Sequence, residues 1–173
     1  MKRVLITGPE STGKSELALQ LARHYGGLVV PEYSREFIQG LGRPYLFKDV
    51  EHIAIRQVEE YNTSSHPEWV FFDTWLIISK VWFSVVYNRV PSWLDEKISV
   101  ASFDLVLLCD TDIPWIADPV RENGGTMREE LLHSYKNELN YYGLDWELVT
   151  GLGEERFLYA RQLIDNKIAY GTT

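Results

Sequence analysis

Residues Gly8, Pro9, Glu10, Ser11, Thr12, Gly13, Lys14 and Ser15 fit the spacing G-x-x-x-x-G-K-[S/T], the pattern of a loop that cradles phosphate groups. Gly8 and Gly13 lack a Cβ, so the backbone can turn successive N–H groups inward toward an anion. Those donors lie at the start of a helix, whose dipole also favours negative charge. Lys14 is the residue that reaches the β and γ phosphates of ATP, and the Ser15 hydroxyl is a magnesium ligand. Glu10, Ser11 and Thr12 complete the set of candidate nucleotide-binding positions. A glycine-rich turn before an ordinary helix is the plain alternative. The order of elements speaks against it: apolar Val4, Leu5 and Ile6 precede the loop, and Leu17, Ala18, Leu19, Leu21 and Ala22 follow with helical spacing.

Three further segments hold polar residues where chemistry needs them. Asp73 ends the apolar run "WVFFD", a position from which a carboxylate helps hold Mg²⁺, although an aspartate there also serves to cap the next helix. "PEYSRE" (31–36) brings Glu32, Arg35 and Glu36 to the end of a short strand. A carboxylate beside an acceptor hydroxyl suits phosphoryl transfer to an alcohol; a surface ion pair is the plain reading. "DTDIPWIADPVRENGGTMREE" carries Gly124 and Gly125 with Arg121 and Arg128, as expected of a lid that brings arginines over a transferring group.

Alternating elements position these segments. Strands are expected at 4–6, 28–30, 68–74, 103–110 and 146–150. Helices are expected after the loop, from Ser34 as N-cap, over 47–65, from Trp75 to Asn88, from Pro91, up to Gly143, and over 154–170. Near-continuous apolar strands alternating with helices predict a parallel, doubly wound α/β sheet, whose ligands gather at the strand carboxyl ends. The helix "WLIISKVWFSVVYN" is apolar nearly all round, which suits a buried core or a homodimer interface. The length of 173 residues predicts one domain over 1–173. Single Cys109 fits a reducing, cytoplasmic compartment, and its place at a strand end makes it structural. No apolar run nears the ~18 residues of a membrane span. The net charge of −8 argues against a broad nucleic-acid surface.

"GPESTGKS", "PEYSREF", "IRQ", "FFDT" and "DIPWIADPVR", in that order, resemble the ribosylnicotinamide kinase domain of NadR-type proteins and their stand-alone relatives over about residues 3–165. The shared blocks are G-x-E-S-x-G-K-S, E-Y-x-R-E-F (Glu32, Tyr33, Arg35, Glu36, Phe37), Asp73-Thr74, and a Trp before an acidic, arginine-bearing lid (Trp115, Asp118, Arg121). The resemblance implies a P-loop kinase fold with strand order 2-3-1-4-5, helices on both faces, and ATP with Mg²⁺ as cofactors. It implies 5′-phosphorylation of a nucleoside, nicotinamide riboside giving its mononucleotide, and it covers the kinase part of those longer proteins alone. Pro31 stands where the family carries an aromatic residue that stacks on the base, which leaves Tyr33, Trp75 or Tyr45 as other stacking faces.

The expected machinery is therefore Lys14, Glu32, Asp73 and Arg121 for catalysis, with Ser15 and Asp73 for the metal. Arg128 joins the loop residues on the nucleotide, and Glu32, Tyr33, Arg35, Asp73, Trp75 and Asp118 contact the acceptor. Residue spacing leaves open whether Glu32 or Asp73 is the base. It also leaves open a deoxynucleoside, nucleotide or other small-metabolite acceptor, and an ATP-hydrolysing switch.

Overall fold

The structure, a computed structural model, describes residues 1–66, 68–117 and 122–169. Five parallel strands, β1 (Lys2–Thr7), β2 (Leu28–Val30), β3 (Trp69–Asp73), β4 (Leu105–Cys109) and β5 (Trp146–Val149), form one sheet in the order β2-β3-β1-β4-β5. The helices are α1 (Lys14–Tyr25), α2 (Tyr33–Gly40), α3 (Phe47–Thr63), α4 (Leu76–Tyr87), α5 (Ser92–Val100), α6 (Thr126–Tyr141) and α7 (Gly153–Ile164), the last running into a π-helical turn over Asp165–Ala169. This is the doubly wound arrangement with the strand order expected of a P-loop kinase fold.

Strand periodicity divides the core. Leu5, Val70, Phe72, Val106 and Leu108 point to one face, where they meet buried residues of α3, α4 and α6 such as Val50, Leu76 and Leu132. Val4, Ile6, Phe71, Leu105, Leu107 and Cys109 point to the other, against Leu17, Leu21 and Ala22 of α1 and Ala160 of α7. Successive side chains of a strand alternate between faces; all five residues of β3 and of β4 are buried, because helices cover both sides. Burial pushes the Cys109 thiol up to about 11, in keeping with a structural role.

Some local details differ from the sequence expectation. Helix α2 starts at Tyr33 with Glu32 at the N-cap position, so Ser34 lies inside the helix and its hydroxyl donates to Glu32 Oε1 at 2.7 Å. Leu19, expected on the apolar face of α1, is exposed. Helix α4 buries Leu76, Ile77, Val81 and Phe83 in the core while Val85 and Val86 near its end are exposed. No helix among the described residues is long and apolar enough to cross a membrane.

Candidate active site

The carboxyl ends of β1, β3 and β4 converge on the loop 8–13. At Gly8 the β1 chain passes so close to β4 that a Cβ would sit 2.7 Å from the Cys109 carbonyl oxygen, and its φ is +134°. Gly13, at φ +75°, is the N-cap of α1. These two glycines meet the steric demand that their spacing predicts. Thr12 is buried, and its hydroxyl and the Lys14 ammonium both donate to the Pro9 carbonyl, at 2.8 and 2.7 Å.

Asp73 arrives beside this loop because β3 pairs with β1 in the register Ile6 to Asp73. Thr74, next in the chain, has φ +67° and donates its N–H to the Ile6 carbonyl at 2.9 Å; the reversal fixes where the Asp73 side chain can reach. Burial and, second, the negative charge of Glu32 push the Asp73 carboxyl up to about 6, against the hydrogen bond from Ser15 and the charge of Lys14. Lys14, Ser15, Glu32 and Asp73 thus form one cluster. Asp73 Oδ1 is buried and has no hydrogen-bond partner among the described residues. A Mg²⁺ ion is bound by one or two carboxylates and substrate phosphates while keeping several waters, so a free carboxylate oxygen beside a serine hydroxyl fits its chemistry. Among the described residues no group of three or more His, Cys, Asp or Glu could hold a metal without such outside ligands.

A small cleft opens beside Asp73, lined by Val30, Pro31, Tyr33, Gln57, Thr74 and Trp75 among others. Tyr33 faces it with its hydroxyl 3.2 Å from His52 Nε2. Arg35 lies exposed on α2. Trp75, which also lines this cleft, has the packing of a core residue: it is 2% exposed, against Tyr61 and Phe103, with Nε1 donating to the Gln57 carbonyl. Tyr45 packs edge-on against Trp82 and donates to Glu122 Oε2 at 2.8 Å.

Arg128, expected on the nucleotide, is buried at the start of α6, where it donates to the backbone carbonyls of Ser11 and Ile113 at 3.1 and 2.9 Å. It braces the phosphate loop against the segment after β4. The carboxylate of Glu10 and the hydroxyl of Ser11, expected on the nucleotide as well, bond to that same segment. Asp118 and Arg121 lie outside the described residues.

Arg156 went unrecognised in the sequence. Its buried guanidinium donates to the carbonyls of Thr12, Asp110 and Val149 and to Asp112 Oδ1, the last at 3.0 Å. One side chain therefore ties the phosphate loop to the ends of β4 and β5. An arginine in the amphipathic run "EERFLYARQ" carries no mark that sets it apart from a surface residue. Arg156→Met is expected to destabilise the fold by about 2–4 kcal/mol, since it leaves the carbonyls of Thr12, Asp110 and Val149 without this donor, and Arg156→Lys to recover little, because an ammonium cannot reproduce the fork. Urea unfolding of both variants checks this.

A family model described as an AAA domain matches residues 3–156. The trifunctional NAD biosynthesis/regulator protein NadR of Salmonella typhimurium is 26% identical over 133 residues, 73% of this chain, and the Escherichia coli protein matches equally. The chain spans 32% of the length of these curated relatives. Among solved structures, a NadR protein in complex with NR aligns with a TM-score of 0.80 at 21% identity, over 96% of this chain and 50% of that one. Deoxyadenosine kinase from M. mycoides aligns with a TM-score of 0.69 at 18% identity, over 95% and 99% of the two chains.

Proposed function

The chain belongs to the AAA domain family, and from that premise we propose that it is an ATP-dependent kinase transferring the γ-phosphoryl group to the 5′-hydroxyl of a nucleoside, nicotinamide riboside before others. The observation that carries this reading is the cluster of Lys14, Ser15, Glu32 and Asp73 beside a small cleft that Asp73 helps to line: a phosphate loop meets two carboxylates at one site. A relative described as an NAD biosynthesis protein, and a solved relative in complex with NR, favour the nicotinamide nucleoside.

In this reading Lys14 and the loop N–H groups hold the β and γ phosphates. Ser15 and Asp73 would hold Mg²⁺, which when bound would neutralise charge on the phosphates. Glu32, within electrostatic reach of Asp73, orients the acceptor hydroxyl and takes its proton as the oxygen attacks the γ-phosphorus and the bond to the β–γ bridging oxygen breaks, releasing ADP. Asp73 takes that proton if Glu32 serves only to orient. Tyr33, Arg35 and, by family resemblance, Asp118 contact the nucleoside, while Arg121 stabilises charge on the transferring group. We read residues 1–173 as one kinase-like domain working in the cytoplasm, alone or as a homodimer.

The test is ATP consumption by the purified protein with Mg²⁺, without acceptor and then with nicotinamide riboside, ribonucleosides and deoxynucleosides in parallel. Consumption that requires nicotinamide riboside and yields its mononucleotide supports the proposal. Consumption that requires a deoxynucleoside keeps the mechanism and changes the substrate, as the full-length alignment with deoxyadenosine kinase would allow. Steady hydrolysis unchanged by every acceptor would make the chain a nucleotide-hydrolysing switch.

A further inference from the structure

Two residues of the phosphate loop have their side chains turned to another task. Glu10 Oε2 accepts the backbone N–H groups of Glu122 and Asn123, at 3.0 and 3.1 Å, and its Oε1 accepts Asn123 Nδ2 at 3.4 Å. Ser11, held at φ +56°, accepts the N–H of Ile116 on its hydroxyl at 3.1 Å. Both described limbs of the segment between β4 and α6 are thereby hung on adjacent positions of the loop, more than a hundred residues away in sequence. The limbs also touch each other: the Trp115 indole lies so close to Gly124 that a Cβ there would come within 3.1 Å of it. A left-handed conformation at a residue with a side chain is strained and persists only where the surroundings hold it; here the Ile116 N–H and the Arg128 guanidinium both engage Ser11.

We propose that Glu10 is a positioning residue that holds Glu122 and Asn123, on the described limb leading into α6, against the phosphate loop, acting as a hydrogen-bond acceptor for their backbone rather than as a charge directed at phosphate or metal. The inference rests on the kinase reading for its effect on turnover, although the contact itself does not depend on it. The backbone N–H groups of Gly8 and residues 10–13 are those that would hold the nucleotide, so the loop that would grip phosphate and the carboxylate that grips Glu122 and Asn123 belong to one stretch of chain. Placement of Glu122 and Asn123 then follows from placement of the loop.

The geometry separates the hydrogen-bonding role from a charge role. Both backbone N–H groups go to a single oxygen of Glu10, so Glu10→Gln keeps them by placing its carbonyl there, and its amide can meet Asn123 once that side chain turns over. Glu10→Ala loses all three bonds. With Mg²⁺-ATP and nicotinamide riboside, Glu10→Ala is expected to lower kcat roughly tenfold or more, with less change in KM for ATP and a raised ratio of hydrolysis to transfer. Glu10→Gln is expected to retain most of the turnover. Amide exchange at Glu122 and Asn123, followed by NMR without nucleotide, is expected to quicken in Glu10→Ala and to stay near the parent rate in Glu10→Gln. Unchanged exchange in Glu10→Ala, or a Glu10→Gln variant that is folded but loses its protection at these amides, would overturn the tether. A Glu10→Gln variant that keeps its protection but has kcat as low as Glu10→Ala would overturn the hydrogen-bonding role in favour of charge. If the parent phosphorylates no acceptor, the kinase reading falls, and the exchange rates still decide whether Glu10 holds the segment.

Discussion

Lys14→Ala is expected to remove turnover by a factor on the order of 10³ or more, the scale seen when a preorganised charge on a transferring phosphoryl group is deleted, while the protein unfolds at nearly its parent temperature. The two halves of that expectation have separate causes. Lys14 belongs to the cluster with Ser15 and Asp73, and no other lysine is placed in it. For the fold it contributes one bond to the Pro9 carbonyl, which Thr12 Oγ1 also satisfies, so its loss strands no buried acceptor. Turnover with each acceptor and thermal unfolding are the two measurements. A folded Lys14→Ala protein with near-parent turnover would remove the phosphate-loop assignment from this chain.

Asp73→Asn is expected to lose turnover by about 10²–10³-fold and to gain stability at neutral pH. The folded carboxyl keeps its proton up to about 6, whereas an unfolded one releases it near 3.8. Between those values the folded state binds more protons than the unfolded state, so parent stability falls as pH rises from about 4 to about 6 and stays lowered above that range. Asparagine is neutral throughout and nearly the same shape. It should therefore relieve roughly 2–3 kcal/mol at pH 7, taking 1.36 kcal/mol for each unit of the shift. Equal stability of parent and variant at pH 7 would refute the buried charge as its cause. Parent kcat/KM, which reports groups of the free protein, should rise as pH climbs through the same range, because both a metal ligand and a base must be ionised. Glu32→Gln separates the two carboxylates: if Glu32 takes the acceptor proton, this variant keeps its dependence on Mg²⁺ concentration and loses kcat, while Asp73→Asn loses both.

The legible part of the site lay in short stretches. Gly8 to Ser15 reads as a phosphate loop because a glycine at φ +134° and another at φ +75° are local demands, met within eight residues and bracketed by a strand and a helix whose periods are themselves local. Asp73 was legible because an apolar run that ends in a carboxylate marks a strand edge. Other residues took their surroundings from the tertiary structure. Trp75 is equally at home on a substrate and in a core, and its packing on Tyr61 and Phe103 is visible only in the fold. Arg128 and Arg156 look like solvated arginines in amphipathic helices, yet both are buried on backbone carbonyls of distant loops.

The sequence by itself therefore determined the chemistry of the phosphate loop, the α/β alternation and the set of polar residues at the strand ends, because backbone sterics and hydrophobic period act over a few residues. Tertiary structure alone decided which carboxylate is desolvated, which arginines are buried on backbone carbonyls, and that Glu10 reaches Asn123. Burial and long-range hydrogen bonds depend on how β1 is flanked by β3 and β4, and no spacing along the chain records that.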